Sequence, residues 1–262
     1  MTAERPIQTV TGPVDPADLG ITLVHEHVFV DMYEASLSSA GVLLDESATA
    51  DELSRYRDAR GVTIVDQTTV GLHPDLPVLR RASAATGVRI VAGTGVYWHR
   101  FRPDWVSYLS ETELADRFVS DLDAGAGEER IRAGIIGELA TGHRGIDPVE
   151  RRVLRAAARA GFRTGVAIAT HAIFTPIGLA QLDVLEEAGA DPRRVVIGHA
   201  DTCPNLPTMR QSWLGARGWR STPSGRPTKP ATPGARTGWP PWPMLATWAG
   251  CSSPRMCARG RR

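Results

Sequence analysis

Short apolar runs alternate along the chain with longer segments in which apolar residues recur at helical spacing. The apolar runs occupy residues 21–27, 63–66, 88–94, 133–139, 165–170 and 194–197. The segments with helical spacing occupy residues 50–59, 76–85, 110–122, 147–160 and 176–188, and residues 9–20 read as turns. Uninterrupted apolar strands are typical of a parallel sheet that is buried on both faces. The pattern therefore predicts an α/β fold in which helices cover a parallel sheet.

Two architectures fit six parallel strands with intervening helices. A (β/α)8 barrel of the TIM type gathers the carboxyl ends of all its strands around one point. An open doubly wound sheet, the alternative, would not so readily bring together the ends of its first, fourth, fifth and sixth strands. Because polar residues follow those four strands, we predict a TIM-type barrel. A complete barrel has eight βα units, whereas residues 1–207 encode roughly six, so this region is an incomplete barrel.

The candidate chemistry begins with two histidines at the end of the first strand. His25 and His27 point to the same side, because side chains on a strand alternate with period two. Such a pair alone is more often two polar residues at a strand end than a metal site. However, His171 and His199 close two later strands and Glu138 closes a third. Neutral imidazoles and carboxylates are ligands of zinc and similar divalent ions, so the five residues predict a metal centre.

Five segments of the chain carry a resemblance to a known family. They are Thr-Val-Thr-Gly-Pro at 9–13, Leu-Val-His-Glu-His at 23–27, Ala-Gly-Ile-Ile-Gly-Glu-Leu at 133–139, Ala-Ile-Ala-Thr-His at 167–171 and Val-Ile-Gly-His-Ala-Asp at 196–201. Together they resemble the phosphotriesterase family of the amidohydrolase superfamily over residues 7–207. The resemblance implies a (β/α)8 barrel with two divalent ions, zinc foremost. It also implies that a metal-bound hydroxide attacks a phosphotriester, a lactone or a related ester.

The resemblance also assigns roles to the five candidate ligands. His25 and His27 would bind the buried ion, His171 and His199 the more exposed ion, and Glu138 would bridge them. The phosphotriesterases proper have a carboxylated lysine as the bridge, whereas the phosphotriesterase-related branch, also called phosphotriesterase homology proteins, has a glutamate. Glu138 therefore places the chain with that branch and argues against paraoxon-type activity.

Other residues are weaker candidates for the site. Tyr97 and Trp98 follow the third strand and are predicted to line a substrate pocket, although each taken singly reads as a surface or core aromatic. Asp201 could orient a metal-bound imidazole from two residues beyond His199. Asp66 ends the second strand, where it could support a ligand but more often would bond a loop or cap a helix. Three further histidines lie in loops and are expected to be solvated: His73, His99 and His143.

The composition of the chain changes sharply after about residue 202. Residues 202–262 contain ten of the 30 Lys and Arg but no Asp, Glu, Val, Ile, Phe or Tyr, and they hold ten prolines and five tryptophans. No helical or strand period survives there, so we predict that residues 208–262 form a disordered tail. A basic, aromatic tail could bind nucleic acid, but this is the weakest of the functional hypotheses. A GC-rich coding sequence read out of frame gives the same composition.

The genetic code favours the out-of-frame interpretation. If the last base of each codon is read with the first two of the next, residues 248–259 can become Gly-Arg-Val-Leu-Phe-Ser-Ser-Asp-Val-Cys-Ala. This resembles the eighth strand of the family, whose aspartate binds metal and transfers the proton. The bases for that aspartate would straddle Arg255 and Met256, so the chain as written has no candidate for this catalytic residue. The alternative to a working hydrolase is therefore a frameshifted remnant that binds metal at most.

The remaining expectations concern location and partners. No apolar run reaches the roughly 18 residues of a membrane span, and the first residues do not resemble a secretory signal, so we expect a cytoplasmic protein without membrane attachment. Cys203, Cys251 and Cys257 show no zinc or disulfide spacing. We expect a small-molecule ester, lactone or phosphoester as substrate and no nucleic acid as partner. The family resemblance also suggests a homodimer.

Overall fold

The computed structural model describes residues 5–202, apart from the side chains of Ala35, Ser36 and Asp201. The predicted tail, residues 208–262, lies outside the described residues. The strands are β1 (Ile7–Thr9), β2 (Gly12–Val14), β3 (Ile21–Glu26), β4 (Val30–Asp31), β5 (Val42–Leu43), β6 (Gly61–Asp66), β7 (Arg89–Thr94), β8 (Ile135–Ala140), β9 (Ile168–His171) and β10 (Val195–Gly198). The helices are α1 (Tyr33–Ser36), α2 (Glu46–Asp58), α3 (Leu76–Thr86), α4 (Trp105–Tyr108), α5 (Glu111–Asp123), α6 (Pro148–Thr164) and α7 (Ile177–Glu187).

Six of the strands form one parallel sheet in the order β10-β9-β8-β7-β6-β3. Each of these strands pairs with the sheet strand that precedes it along the chain, so the spatial order of the strands follows the chain order throughout. A doubly wound sheet requires a reversal of that order, so the alternative architecture is excluded for the described residues. The sheet curls so that side chains at the carboxyl ends of its two outermost strands come into contact, with the ring centroids of His25 and His199 4.4 Å apart. The fold is the part of a TIM-type barrel that six strands can form.

Helix ends follow the local capping chemistry. The Ser110 side chain accepts the backbone N–H of Glu113, whose carboxylate accepts the backbone N–H of Ser110, as the predicted capping box requires. Asp147 and Glu150 form a second capping box at the start of α6. The α2 helix begins four residues before the predicted position, at Glu46, because Asp45 caps it.

The core lies between the sheet and its helices in two main clusters. Leu114 and Phe118 of α5 and Leu154 of α6 pack against the β7–β9 side of the sheet, and each is at most 2% exposed. Leu53 of α2 and Ile64 of β6 belong to the second cluster, which lies under α2 and α3. None of the described helices has the length and apolarity needed to cross a membrane.

Four short strands were not expected from the sequence. The stretch read as turns, residues 9–20, holds part of an antiparallel hairpin in which β1 pairs with β2. A second short antiparallel pair joins β4 to β5 in the loop after the first sheet strand. Pairings of two or three residues leave no hydrophobic period in the sequence, which explains why the pattern did not predict them.

Candidate metal centre

The five predicted ligands lie around one buried carboxylate. Oε1 of Glu138 lies 3.1 Å from Nε2 of His25 and 3.2 Å from Nε2 of His199, and it also contacts Nδ1 of His171. Oε2 of Glu138 lies 3.5 Å from Nε2 of His27. The structure therefore brings together all five residues that the sequence pattern selected. It differs in one detail, because Glu138 lies inside β8 and not at its end.

Two glycines permit the strands to approach closely enough for this cluster. A Cβ atom on Gly137, next to Glu138, would lie 2.4 Å from the carbonyl oxygen of Ala169 in β9. A Cβ atom on Gly198 would lie 2.5 Å from the carbonyl oxygen of Thr170 and 3.2 Å from Cε1 of His25. No side chain fits at these separations, so the Gly-Glu and Gly-His pairs in the sequence have a steric reason.

The charge of the cluster centres on Glu138. Burial alone would raise the pKa of Glu138, but His171 and His25 outweigh burial and hold that pKa well below 4.5. Burial would lower the pKa of His25, but the Glu138 carboxylate outweighs it and raises that pKa above 6.5. Burial is the main cause that lowers the pKa of His27 to about 4. At neutral pH the cluster thus holds an ionised carboxylate and a neutral His27.

The donor set fits a divalent metal ion. Oε2 of Glu138 is fully buried and accepts no hydrogen bond from the described residues, although a buried carboxylate oxygen is costly to leave without a partner. One ligand atom each of His25, Glu138 and His199 lie within 4.8 Å of one another, close enough to share an ion. Imidazole nitrogen and carboxylate oxygen are the ligands of catalytic zinc sites. These residues could therefore bind metal.

Asp66 bonds to the backbone of the two segments that follow β3 and β6. Its carboxylate accepts hydrogen bonds from the backbone N–H groups of Val28, at 2.7 Å, and Thr68, at 3.0 Å. Of the roles considered for Asp66, the loop hydrogen bond is therefore the one that the structure shows. Burial raises the pKa of Asp66 to about 6, so the group is largely ionised at pH 7. Sequence reasoning missed Thr68, whose contact with His27 joins residues 41 positions apart.

The two predicted substrate residues lie beside the cluster in unequal positions. The ring of Tyr97 is 7% exposed and lies 5.4 Å from the ring of His171. Trp98 is farther out and stacks on His143 in the loop after β8, with centroids 5.2 Å apart. Both residues follow β7 on the side of the sheet that carries the cluster. Their role in substrate binding stays a prediction.

The remaining sequence predictions concern Asp201 and the three loop histidines. The side chain of Asp201 lies outside the described part of the structure, so its predicted contact with His199 stays a prediction. His73, His99 and His143 are exposed, as expected of loop histidines. However, His99 is not only solvated, because its Nδ1 lies 2.8 Å from Oε1 of Glu150.

His99, Glu150 and Asp147 form a second group with metal-ligand chemistry, but their atoms are already engaged. Glu150 accepts the backbone N–H groups of Gly142 and Asp147 as well as the His99 contact. Asp147 caps α6 and receives Arg102 at 3.2 Å. These bonds fix the α6 terminus to the loop after β8. We assign this group a structural role.

The chain is similar to proteins of one known family. The profile of the Phosphotriesterase family matches residues 5–213. The chain is 40% identical over 205 residues to the phosphotriesterase homology protein of Mycobacterium tuberculosis, covering 74% of this chain and 63% of that protein. It is 35% identical over 226 residues to the N-acetyltaurine hydrolase of Tetraodon nigroviridis, covering 74% and 64%. The chain thus spans less than two thirds of the length of these relatives.

A solved structure is also similar to this chain. The crystal structure of the phosphotriesterase homology protein from Escherichia coli, complexed with phosphate in the active site, aligns with a TM-score of 0.73 and 30% sequence identity. The alignment covers 77% of this chain and 69% of that chain. The chain belongs to the phosphotriesterase family.

Proposed function

We propose that the five residues bind two divalent metal ions, with zinc as the first candidate, in a site built for hydrolysis. The observation that carries this proposal is the convergence of four imidazoles on the buried Glu138 carboxylate. As the resemblance implies, His25 and His27 would hold one ion, His171 and His199 the other, and Glu138 both. Ions bound here would supply a water nucleophile at neutral pH and polarise the substrate's carbonyl or phosphoryl oxygen.

The residues of this chain would prepare the site in three ways. Glu138 balances the charge of the bound ions from a position that is fully buried. His27 is neutral at pH 7 and needs no deprotonation before it binds. The buried ring of Tyr97 makes an edge contact with the ring of His171 and would help to hold that ligand in place.

The substrate class we propose is a small ester, lactone or phosphoester. The phosphate in the active site of the Escherichia coli relative supports a phosphoryl group among these candidates. The N-acetyltaurine hydrolase relative makes an N-acyl amide the necessary comparison in any test. A cytoplasmic location and a homodimer stay predictions.

The test is a panel assay of the zinc-loaded chain with a phosphotriester, a phosphomonoester, a lactone, a carboxylic ester and N-acetyltaurine. We expect hydrolysis of one ester class and its loss when a chelator removes the metal. Zinc should restore the activity, because the nucleophile depends on the ion. Activity that survives complete metal removal would contradict the proposal.

A second candidate function is supported by the edges of the sheet. Within residues 5–202, neither β3 nor β10 has a strand on its outer side. With the composition of residues 208–262, which is typical of a coding sequence read out of frame, this favours a frameshifted remnant that binds metal at most. Zinc binding without turnover of any substrate in the panel would identify that state.

Metal binding is expected to weaken as the pH falls from about 8 to about 6. A metal ion binds only neutral imidazole, and Glu138 raises the pKa of His25 above 6.5 in the metal-free chain. More of His25 therefore keeps its proton near pH 6.5 than an ordinary histidine would, and the ion must displace that proton. Affinity should rise with pH through the pKa of His25, with proton release on binding.

Calorimetry in two buffers with different ionisation enthalpies measures this proton release. The apparent binding enthalpy should differ between the buffers near pH 6.5, the ordinary pKa of a histidine side chain, and converge at higher pH. Equal enthalpies in both buffers near that pH would show that His25 binds without losing a proton.

A further inference from the structure

The segment after β6 touches two members of the metal centre. Thr69 donates its hydroxyl hydrogen to the carbonyl oxygen of Glu138 at 2.9 Å. Oγ1 of Thr68 lies 3.1 Å from Nδ1 of His27, on the opposite side of that ring from the atom that faces Glu138. Thr68 and Asp66 are each at most 1% exposed, so water does not compete for these contacts.

The direction of the hydrogen bonds follows from the donors and acceptors present. Both oxygens of the Asp66 carboxylate already accept a backbone N–H, one from Val28 and one from Thr68. The hydroxyl of Thr68 lies 3.3 Å from Oδ2 of Asp66. An ionised carboxylate can only accept, so the single hydroxyl hydrogen of Thr68 points to Asp66.

This direction fixes the other partner of the hydroxyl. Because Thr68 donates its only hydroxyl hydrogen to Asp66, it can only accept a hydrogen bond from His27. Nδ1 of His27 must then carry the hydrogen and donate it to Thr68. Nε2 keeps a lone pair and faces Oε2 of Glu138 across 3.5 Å.

We propose that Thr68 and Asp66 are positioning residues that hold His27 in its Nδ1–H tautomer and so present Nε2 to a divalent ion. The tautomer follows from the hydrogen bonds and the ionised Asp66 carboxylate, whereas its purpose rests on the proposed function. A metal-bound histidine commonly donates its other ring N–H to a carboxylate, a carbonyl or water. Here a threonine hydroxyl stands between the imidazole and the carboxylate, because Asp66 is occupied with the backbone of the loop that follows β3.

The first test is the tautomer of His27 in the metal-free, full-length chain, measured by long-range ¹H–¹⁵N NMR at pH 7.5, about one unit above the ordinary pKa of histidine. The assignment uses a His27→Gln variant. We expect the Nδ1–H form in the unmodified chain. Observation of the Nε2–H form would overturn the proposal without any further variant.

The second test uses three substitutions in the same chain. Thr68→Ser keeps the hydroxyl and should keep the tautomer, whereas Thr68→Val should remove the preference for Nδ1–H. Thr86→Val is the matched control, since Thr86 is also buried and its hydroxyl donates to the Ala82 carbonyl oxygen within α3. The control should leave the His27 tautomer unchanged. An unchanged tautomer in a folded Thr68→Val variant would also overturn the proposal.

Zinc titration then separates the positioning role from the proposed function. We expect Thr68→Val to lower zinc affinity by about 10-fold to 100-fold, the usual effect of losing an outer partner of a ligand, while Thr68→Ser and Thr86→Val bind as the parent does. If the parent shows the Nδ1–H tautomer but binds no zinc, the proposed metal centre fails and the hydrogen-bond assignment stands. Parent-like zinc affinity in Thr68→Val would contradict the positioning role.

Discussion

Replacing Glu138 by alanine is expected to lower zinc affinity by more than about 100-fold, which exceeds the usual effect of losing a residue that only hydrogen-bonds to a ligand. Each of the four histidines lies within contact distance of this one carboxylate, so its loss affects both proposed ion positions at once. The variant would also leave the ions' charge unbalanced in a buried site, which is costly.

Metal content per chain after dialysis measures the effect, and a competitive chelator titration gives the affinity. Glu138→Gln keeps the size of the side chain but removes the charge, so it should show most of the loss. His143→Ala is the control, because His143 is exposed and stacks on Trp98 outside the cluster. Circular dichroism has to show that each variant retains its secondary structure. If Glu138→Ala keeps full metal content, the bridging role is wrong.

The sequence predicted the cluster of histidines around Glu138 because strand ends in a parallel sheet converge. His25, Glu138, His171 and His199 lie far apart in the chain, yet each was placed at or near the carboxyl end of a strand. The fold then required them to lie at one edge. How closely these side chains approach one another was harder to predict, since it depends on the close approach of the strand backbones at Gly137 and Gly198.

What the sequence did not predict depends on contacts between side chains and loops. The bond between His27 and Thr68 joins two loops, and no periodicity records it. The short β1–β2 and β4–β5 pairs are fixed by tertiary context and not by an apolar pattern. The start of α2 was placed too late because the early residues of the helix are mostly polar or small, and Asp45 alone marks that start.

A chain whose reading frame is restored after about residue 207 is expected to be more stable and a faster hydrolase than the present chain. Within residues 5–202 the sheet has six strands with open outer edges at β3 and β10. Ile21 and Val24 of β3 are each 48% exposed. Two further βα units would pair both edges and cover these residues, as a closed barrel requires.

The stability arm of this prediction is a urea titration of both chains. The restored chain should unfold with a higher midpoint and a steeper slope, because the slope grows with the surface buried on folding. Sequencing of the coding DNA across codons 200–262 tests the premise directly. A shifted frame that does not encode the Ser-Ser-Asp segment of the eighth strand would remove the frameshift proposal.

The activity arm depends on the aspartate that the shifted frame can encode across Arg255 and Met256. A general acid or base typically contributes about 10²-fold to 10⁴-fold to a hydrolytic rate, and the restored chain should gain at least this much. A restored chain with that aspartate replaced by alanine separates the two causes. It should recover the stability of the closed barrel but not the rate. If it hydrolyses as fast as the restored chain, closure alone explains the gain and the aspartate has no part in proton transfer.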